Sequence, residues 1–281
     1  MGDYSASFVL GVVEGLTEFV PVSSTAHLRL MQALLHRNLA DQVWEMYFIV
    51  IRLGALSALM LIYAQQLHSE AGASRHRPRL ERGLIAHPPS RVGWAFLASV
   101  LPAYVLSQVI NRDTTSFREI GVSLFVGGVV MWLVDAFVAK EKAERIECLT
   151  VGQAVWIGIC QGTVAALPGI SRTMVTIVAG EIGGLSRTTS VEFSFLLFVP
   201  SMLAAAFAEM LRMSWRSSTV LVLDLHGLVV LGIGFGAAAV MAYILADWML
   251  KWVERRSLMI FGVYRVCLGL ALLGRVVWVL H

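Results

Sequence analysis

The stretch Glu14-Gly-Leu-Thr-Glu18-Phe-Val-Pro21-Val-Ser23-Ser24-Thr25-Ala26-His27 gathers two carboxylates, a run of hydroxyls and an imidazole into fourteen residues of an otherwise apolar region. Glu14 and Glu18 are four apart, so on a helix they share one face, one turn apart. Carboxylates so close repel each other, which poises one of them as a base or makes the pair a seat for a cation. Each residue also has an ordinary reading. The acids could cap a helix end in water, Ser23, Ser24 and Thr25 resemble an N-cap more than a nucleophile, and His27 could be structural. Their density within apolar sequence favours a site. A second stretch reads Pro168-Gly169-Ile170-Ser171-Arg172-Thr173-Met174-Val175-Thr176. Arg172 keeps its charge, and its fork matches phosphate oxygens. Gly169 permits a tight turn, and amides at the start of a following helix can help cradle an anion. Arg52 is a third candidate, an arginine within an apolar run. If the two stretches meet, they form a phosphate site with acids, a hydroxyl and an arginine, open to a lipid from the side.

The elements that must position these groups are membrane helices. Of 281 residues, 57% are hydrophobic and 15% charged, against roughly 25% charged in soluble domains; the mean hydropathy is +0.73. A soluble enzyme, a nucleic-acid module and a disordered chain are excluded, and the chain is predicted to be an all-α polytopic membrane protein forming a single domain. A span needs roughly 20 apolar residues. Six are predicted, at Val43–Tyr63, Val92–Ile110, Ile120–Ala139, Val191–Leu211, Leu225–Leu250 and Leu258–Leu280, with polar connectors at Gln65–Arg91, Asn111–Glu119, Lys140–Leu149, Arg212–Asp224 and Lys251–Ser257. Pro102 and Pro200 predict kinks, and Gly232-x-Gly234-x-Gly236 predicts a close helix contact. The three cysteines have no paired spacing, so neither a disulfide framework nor a zinc site is expected. The N-terminus lacks a basic region and its apolar run breaks at Glu14, so no cleaved signal peptide is expected.

Residues about 5–36 and 150–187 are apolar but broken by Pro, Gly, Ser and ionisable groups. Broken backbone at membrane depth survives only where protein buries it or water reaches it, so both read as re-entrant helix–loop–helix hairpins. Gly11, Gly15, Pro21 and Ser24 recur as Gly158, Gly162, Pro168 and Ser171, all at an offset of 147, with Glu14 falling on Gln161 and Glu45 on Glu192. This predicts an inverted repeat, its halves at about 1–140 and 150–281, with the site at their interface. The connectors with Arg75, Arg77, Arg79, Arg82 and Arg91, with Lys140, Lys142 and Arg145, and with Lys251, Arg255 and Arg256 outweigh those with Arg112, Arg118, Arg212 and Arg216. The richer side is expected to be cytoplasmic, which turns the first hairpin and both termini outward.

The motifs EGLTEFVPVSSTAH and PGISRT resemble the signature segments of the bacterial undecaprenyl-diphosphatase family, also called the bacitracin-resistance protein family. That family carries E-x-x-x-E followed by P-V-S-S-T-G-H, and a second motif P-G-x-S-R-S-x-x-T. The resemblance extends to GLSRTTSVEFSFLLFVP at 184–200 and to Tyr264-Arg265. It implies an inverted repeat of six spans and two re-entrant hairpins in the bacterial inner membrane, with the site facing outward. It also implies hydrolysis of undecaprenyl diphosphate to undecaprenyl phosphate and phosphate, recycling the carrier for cell-wall synthesis. By this resemblance Arg172 holds the diphosphate, Glu18 is a base towards Ser24 or water, and His27 is a general acid or alternative base. Glu14 and Glu18 hold Mg2+ or Ca2+, and Ser23, Thr25, Ser171, Thr173 and Thr176 contact substrate; Arg52, outside the family pattern, is a further candidate substrate contact. The chain departs from the pattern at Ala26 (commonly Gly), Thr173 (Ser), Phe48 (often a carboxylate) and Arg52 (usually Gln). Ala26 would be strained if its position needs a positive φ. Arg52 would either clamp phosphate or neutralise Glu14 or Glu18. The expected partners are a polyprenyl diphosphate and the membrane, with no nucleic acid and with a homodimer as the candidate assembly. Two other readings stand beside this one, a flippase for an anionic polyprenyl lipid and an inactive homologue.

Overall fold

The computed structural model describes residues 2–36, 42–71, 89–109, 116–138, 149–164, 167, 169–216, 224–253 and 256–279. Among these residues the chain forms ten helices and no strand. They are α1 (Asp3–Thr17), α2 (Ser24–Leu34), α3 (Gln42–Ala71), α4 (Pro89–Val109), α5 (Phe117–Phe137), α6 (Val151–Val164), α7 (Arg172–Ile182), α8 (Arg187–Arg216), α9 (Leu225–Val253) and α10 (Met259–Val279). Helices α3, α4, α5, α8 and α9 are long and apolar enough to cross a bilayer, and α10 adds the shorter apolar stretch Met259–Gly274. The chain is a multi-pass membrane protein.

Several helices overrun the predicted spans into the connectors. Helix α4 begins at Pro89, a residue suited to the first helical turn because it lacks the amide that would be unpaired there. Helix α5 begins at Phe117 because Ser116 and Glu119 form a reciprocal capping box. Helix α9 runs to Val253, with Lys251 bonded to Asp247 one turn back (2.6 Å). Helices α3 and α8 likewise extend to Ala71 and Arg216. Apolar length marks where lipid contact ends, whereas backbone hydrogen bonding continues to the next stop signal. Helices α4 and α8 continue through Pro102 and Pro200. Connector residues 72–88, 111–115, 140–148, 217–223 and 254–255, Pro78, Arg112 and Lys140 among them, lie outside the described residues, as does Pro168.

Two short helix pairs fill the broken stretches. In the first, α1 ends at Thr17, Ser23 caps α2, and the turn between them holds Glu18 to Val22. In the second, Gly169 takes a φ of +77° and Ser171 caps α7. The strain expected at Ala26 is not there: Ala26 is an ordinary buried residue of α2, and the positive φ (+77°) falls on Ser23.

Packing crosses between the halves. Helix α1 lies along α9, α6 lies along α4, and α5 pairs with α10. If α1–α5 is matched to α6–α10 in order, α4 corresponds to α9, so each half lends the first helix of its broken pair to the other half's equivalent helix. Glycines permit the approach. A Cβ on Gly11 or Gly15 would stand 2.5 Å from Gly234 O or 2.6 Å from Ala238 O. One on Gly158 or Gly162 would stand 2.0 Å from Ala95 O or 2.3 Å from Ser99 O. The predicted contact at 232–236 narrows to Gly234, which abuts Tyr47, while Gly232 and Gly236 face open space. Fully buried Arg265 of α10 donates to Pro21 O and Ser123 O (3.3 Å each), pinning the first turn against α5. At the far end of α7, Arg187 pairs with Asp135 and with Glu181 (2.9 Å), joining α5, α7 and α8.

Candidate active site

Both broken stretches present their turns to each other. Glu18 is the first residue past α1; its amide bonds Glu14 O at 2.9 Å, so the two acids keep helical spacing. Across the junction, Arg172 Nη2 lies 3.5 Å from Glu18 Oε1, and Thr173 donates to Glu18 O at 3.0 Å. Ser24 donates to the other carboxylate oxygen of Glu18. Phe19 wedges between Phe195 and Phe198 (5.1 and 5.2 Å), fixing the turn against α8. Arg172 lies over the Phe198 ring and donates to Met202 Sδ (5.9 and 3.1 Å). The guanidinium is therefore held on three sides, by an acid, a ring and a sulfur.

Glu14 is fully buried, and among the described residues no donor hydrogen-bonds either of its carboxylate oxygens. Its countercharge is Arg52 of α3, with Nε at 3.9 Å from Oε1; the same guanidinium reaches Glu209 of α8 at 3.7 Å. Each acid of the first stretch thus faces one arginine, Arg52 for Glu14 and Arg172 for Glu18. That separation lets two like charges sit a turn apart at depth.

A cavity of about 450 Å³ opens beside these pairs. Four arginines line it (Arg29, Arg52, Arg172 and Arg212), together with Thr25, Gln161, Ser201 and Glu209. Gln161 occupies the position in α6 that corresponds to Glu14 and donates to Ser201 at 2.7 Å. A wall with four guanidinium groups and one carboxylate suits a multiply charged phosphate group. Glu18 and Ser24 stand behind Arg172 as a hydroxyl–carboxylate pair, the arrangement that activates an oxygen nucleophile.

The candidate residues therefore divide into those that meet and those that do not. Glu14, Glu18, Ser24, Arg52 and Arg172 form one connected cluster, and Thr25 shares the cavity wall. Ser23 and Ser171 spend their hydroxyl oxygens as N-caps, accepting from Ala26 N (3.4 Å) and Met174 N (3.2 Å). Thr176 bonds back to Arg172 O (3.1 Å) and to Ser194 (2.5 Å). His27 is outside the cavity wall. Its Nδ1 meets Ser23 O (2.7 Å), and its Nε2 meets Tyr264 OH (2.6 Å), with the two rings stacked.

Arg29 and Glu209 were not singled out from the sequence, and Arg212 entered there only as a connector charge. Glu209 carried a usable signal, since it is an ionisable residue inside a predicted span. Arg29 lies one helical turn beyond Thr25, but its facing emerges only once α2 is docked.

Residues 7–271 match the family model described as bacitracin resistance protein BacA. A protein named undecaprenyl-diphosphatase from Koribacter versatilis (strain Ellin345) is 38% identical over 281 residues, covering 98% of either chain. Proteins of the same name from Thermus thermophilus (34% identical, covering 96% of this chain and 97% of the relative) and Deinococcus radiodurans (32%, covering 96% and 94%) are also similar.

Proposed function

The chain belongs to the bacitracin resistance protein BacA family, and from that premise we propose that it is a membrane phosphatase hydrolysing undecaprenyl diphosphate to undecaprenyl phosphate and inorganic phosphate. The observation that carries this reading is the Arg172–Glu18–Ser24 junction at the edge of a cavity with four arginines. The cellular role that follows is recycling of a lipid carrier for cell-wall synthesis, with a link to bacitracin resistance.

In this mechanism Arg172 and Arg52 hold the diphosphate oxygens, and Arg172 neutralises charge as it spreads over the transferring phosphoryl group. Such electrostatic stabilisation is the main catalytic resource for phosphoryl transfer. Glu18 accepts a proton from the attacking oxygen, either Ser24 Oγ or a water that Ser24 orients. That oxygen bonds to the terminal phosphorus as the bond to the lipid phosphate breaks; where Ser24 attacks, a water then displaces its oxygen from the phosphoserine, giving up a proton to Glu18 and releasing inorganic phosphate. Ser171, Thr173 and Thr176 fix the start of α7, and hence Arg172. His27 and Tyr264 hold Ser23, the strained cap from which Ser24 and Thr25 project.

The donor set also suits a hard divalent cation, Mg2+ or Ca2+. Glu14 offers two buried oxygens without a hydrogen-bond donor, and Glu18 lies one turn away. Among the described residues no three His, Cys, Asp or Glu side chains cluster in metal-binding geometry, so phosphate and water oxygens would complete the shell, as is usual for Mg2+. When bound, the cation would screen charge on the diphosphate.

For the fold we propose an inverted repeat of six spans with two re-entrant pairs, α1–α2 and α6–α7. The exchanged packing and the recurring Gly, Pro and Ser positions support it. We place the chain in the inner membrane with the site and both termini outward, on the distribution of basic connectors. The test is phosphate release by purified protein in detergent. Arg172→Ala and Glu18→Ala are expected to lower kcat by about a hundredfold or more at equal expression; retained turnover in both would exclude this site. Lipid translocation in vesicles without phosphate release would instead favour a flippase.

A further inference from the structure

A second cavity, of about 230 Å³, lies between α5, α6 and α7. Its walls are almost wholly apolar: Val126 and Val130 from α5, Trp156 and Cys160 from α6, Val178 and Ile182 from α7. On each helix these residues are spaced by four, so the groove runs parallel to the helix axes. One end is bounded by Ser123, Val164 and Ile170, the other by Val130, Trp156 and Ile182. At about 1.5 Å of rise per residue, the lining stretch of α6 from Trp156 to Val164 is roughly 12 Å long.

One observation connects this groove to the arginine-lined cavity, and others define its floor, far end and side. Val164 and Ile170 line both spaces, so the apolar groove starts where the arginine-rich cavity ends. The floor is kept low by Gly127, where a Cβ would stand 2.3 Å from Arg265 Nη2 and 2.9 Å from Met174 Cε. The far end is fastened by Trp156 Nε1 donating to Ala179 O (3.1 Å) and by Gln153 donating to Gly183 O (2.8 Å). Val126 and Ile182 are half exposed, leaving the groove open along its side.

We propose that this groove seats the proximal isoprene units of the substrate's prenyl chain while the diphosphate lies among the arginines. The inference rests on the phosphatase reading and deepens it, since it gives the lipid tail its own binding surface. A chain anchored at its charged end in the cavity reaches the groove without crossing a polar wall. A flexible tail held there fixes the approach of the phosphoester to Arg172, so part of the apolar burial contributes to orientation.

The test compares two substrates in the full-length protein. Val126→Trp fills the groove one turn from its mouth, and Val126 already faces outward, so the fold accommodates the larger ring. The variant is expected to raise KM for undecaprenyl diphosphate about tenfold while leaving kcat/KM for dimethylallyl diphosphate, with one isoprene unit, within about twofold. An equal effect on both substrates, or none on either, overturns the seat. A second measurement needs no turnover: N-ethylmaleimide labelling of Cys160, part-buried in the groove wall, in a Cys148→Ser, Cys267→Ser background. Undecaprenyl phosphate is expected to slow labelling and inorganic phosphate to leave it unchanged. Equal protection by phosphatidylglycerol would mean that bulk lipid occupies the groove, and overturns the proposal. Wild-type protein that releases no phosphate from either diphosphate sinks the phosphatase reading, and the Cys160 measurement still decides the groove on its own.

Discussion

Arg52 stands where a buried acid most needs a countercharge, and this gives it a dual consequence. Its guanidinium lies 3.9 Å from Glu14 and 3.7 Å from Glu209, so it is a fixed positive charge beside both acids and competes with any second cation for the same oxygens. Removing it by Arg52→Gln is expected to lower the half-saturating Mg2+ concentration for phosphate release by about tenfold, on the scale of one unscreened charge at this distance. A Mg2+ titration of both proteins checks this, and an unchanged or higher requirement would mean that Glu14 is not a cation ligand. The same residue shows how far single positions can be read in a sequence. Arg52, Arg172, Glu14 and Glu18 are legible because ionisable groups are rare and costly in apolar runs. Which acid each arginine faces is not legible, since it depends on how α3 and α7 approach α1. Ser23 and Ser24 show a second limit. Adjacent and alike in type, they have opposite fates, one capping α2 and the other bonded to Glu18, and only the turn geometry separates them.

At the level of helices, close packing replaces the hydrophobic effect that lipid cannot supply. Gly158 of α6 sits against the backbone of α4, where a Cβ would be 2.0 Å from Ala95 O. Because that neighbour is main chain, the helices must part to admit even a methyl group, and Gly158→Ala is expected to cost about 3 kcal/mol. Gly232→Ala on α9 has nothing within 4 Å and is expected to leave stability unchanged or slightly improved, as alanine favours the helix. Thermal unfolding of both variants in detergent distinguishes the two glycine environments. The helix breaks themselves were legible: Pro21 and Gly169 mark both turns, and the apolar runs on either side locate α1, α2, α6 and α7. Helix ends were less so. The capping box at Ser116 and the Asp247–Lys251 pair carry α5 and α9 beyond their apolar limits, and a hydropathy window does not register hydrogen bonds.

Across the whole molecule, the recurrence at an offset of 147 was visible in the sequence, but the exchange of partners was not. Nothing in the order of residues says that α1 should leave its own half to lie on α9, or that α6 should lie on α4. That arrangement puts the acids of the first broken stretch and the arginine of the second at one junction, and it makes the candidate site a property of both halves together. It also bears on how the chain can be taken apart. Cut between Val138 and Leu149, each fragment would keep the face its missing counterpart should cover, with Gly11 and Gly15 or Gly158 and Gly162 bare. Neither fragment expressed alone is expected to accumulate, whereas the two produced together should reassemble and release phosphate. A polypeptide interlocked in this way is, in effect, a dimer whose subunits happen to be tethered.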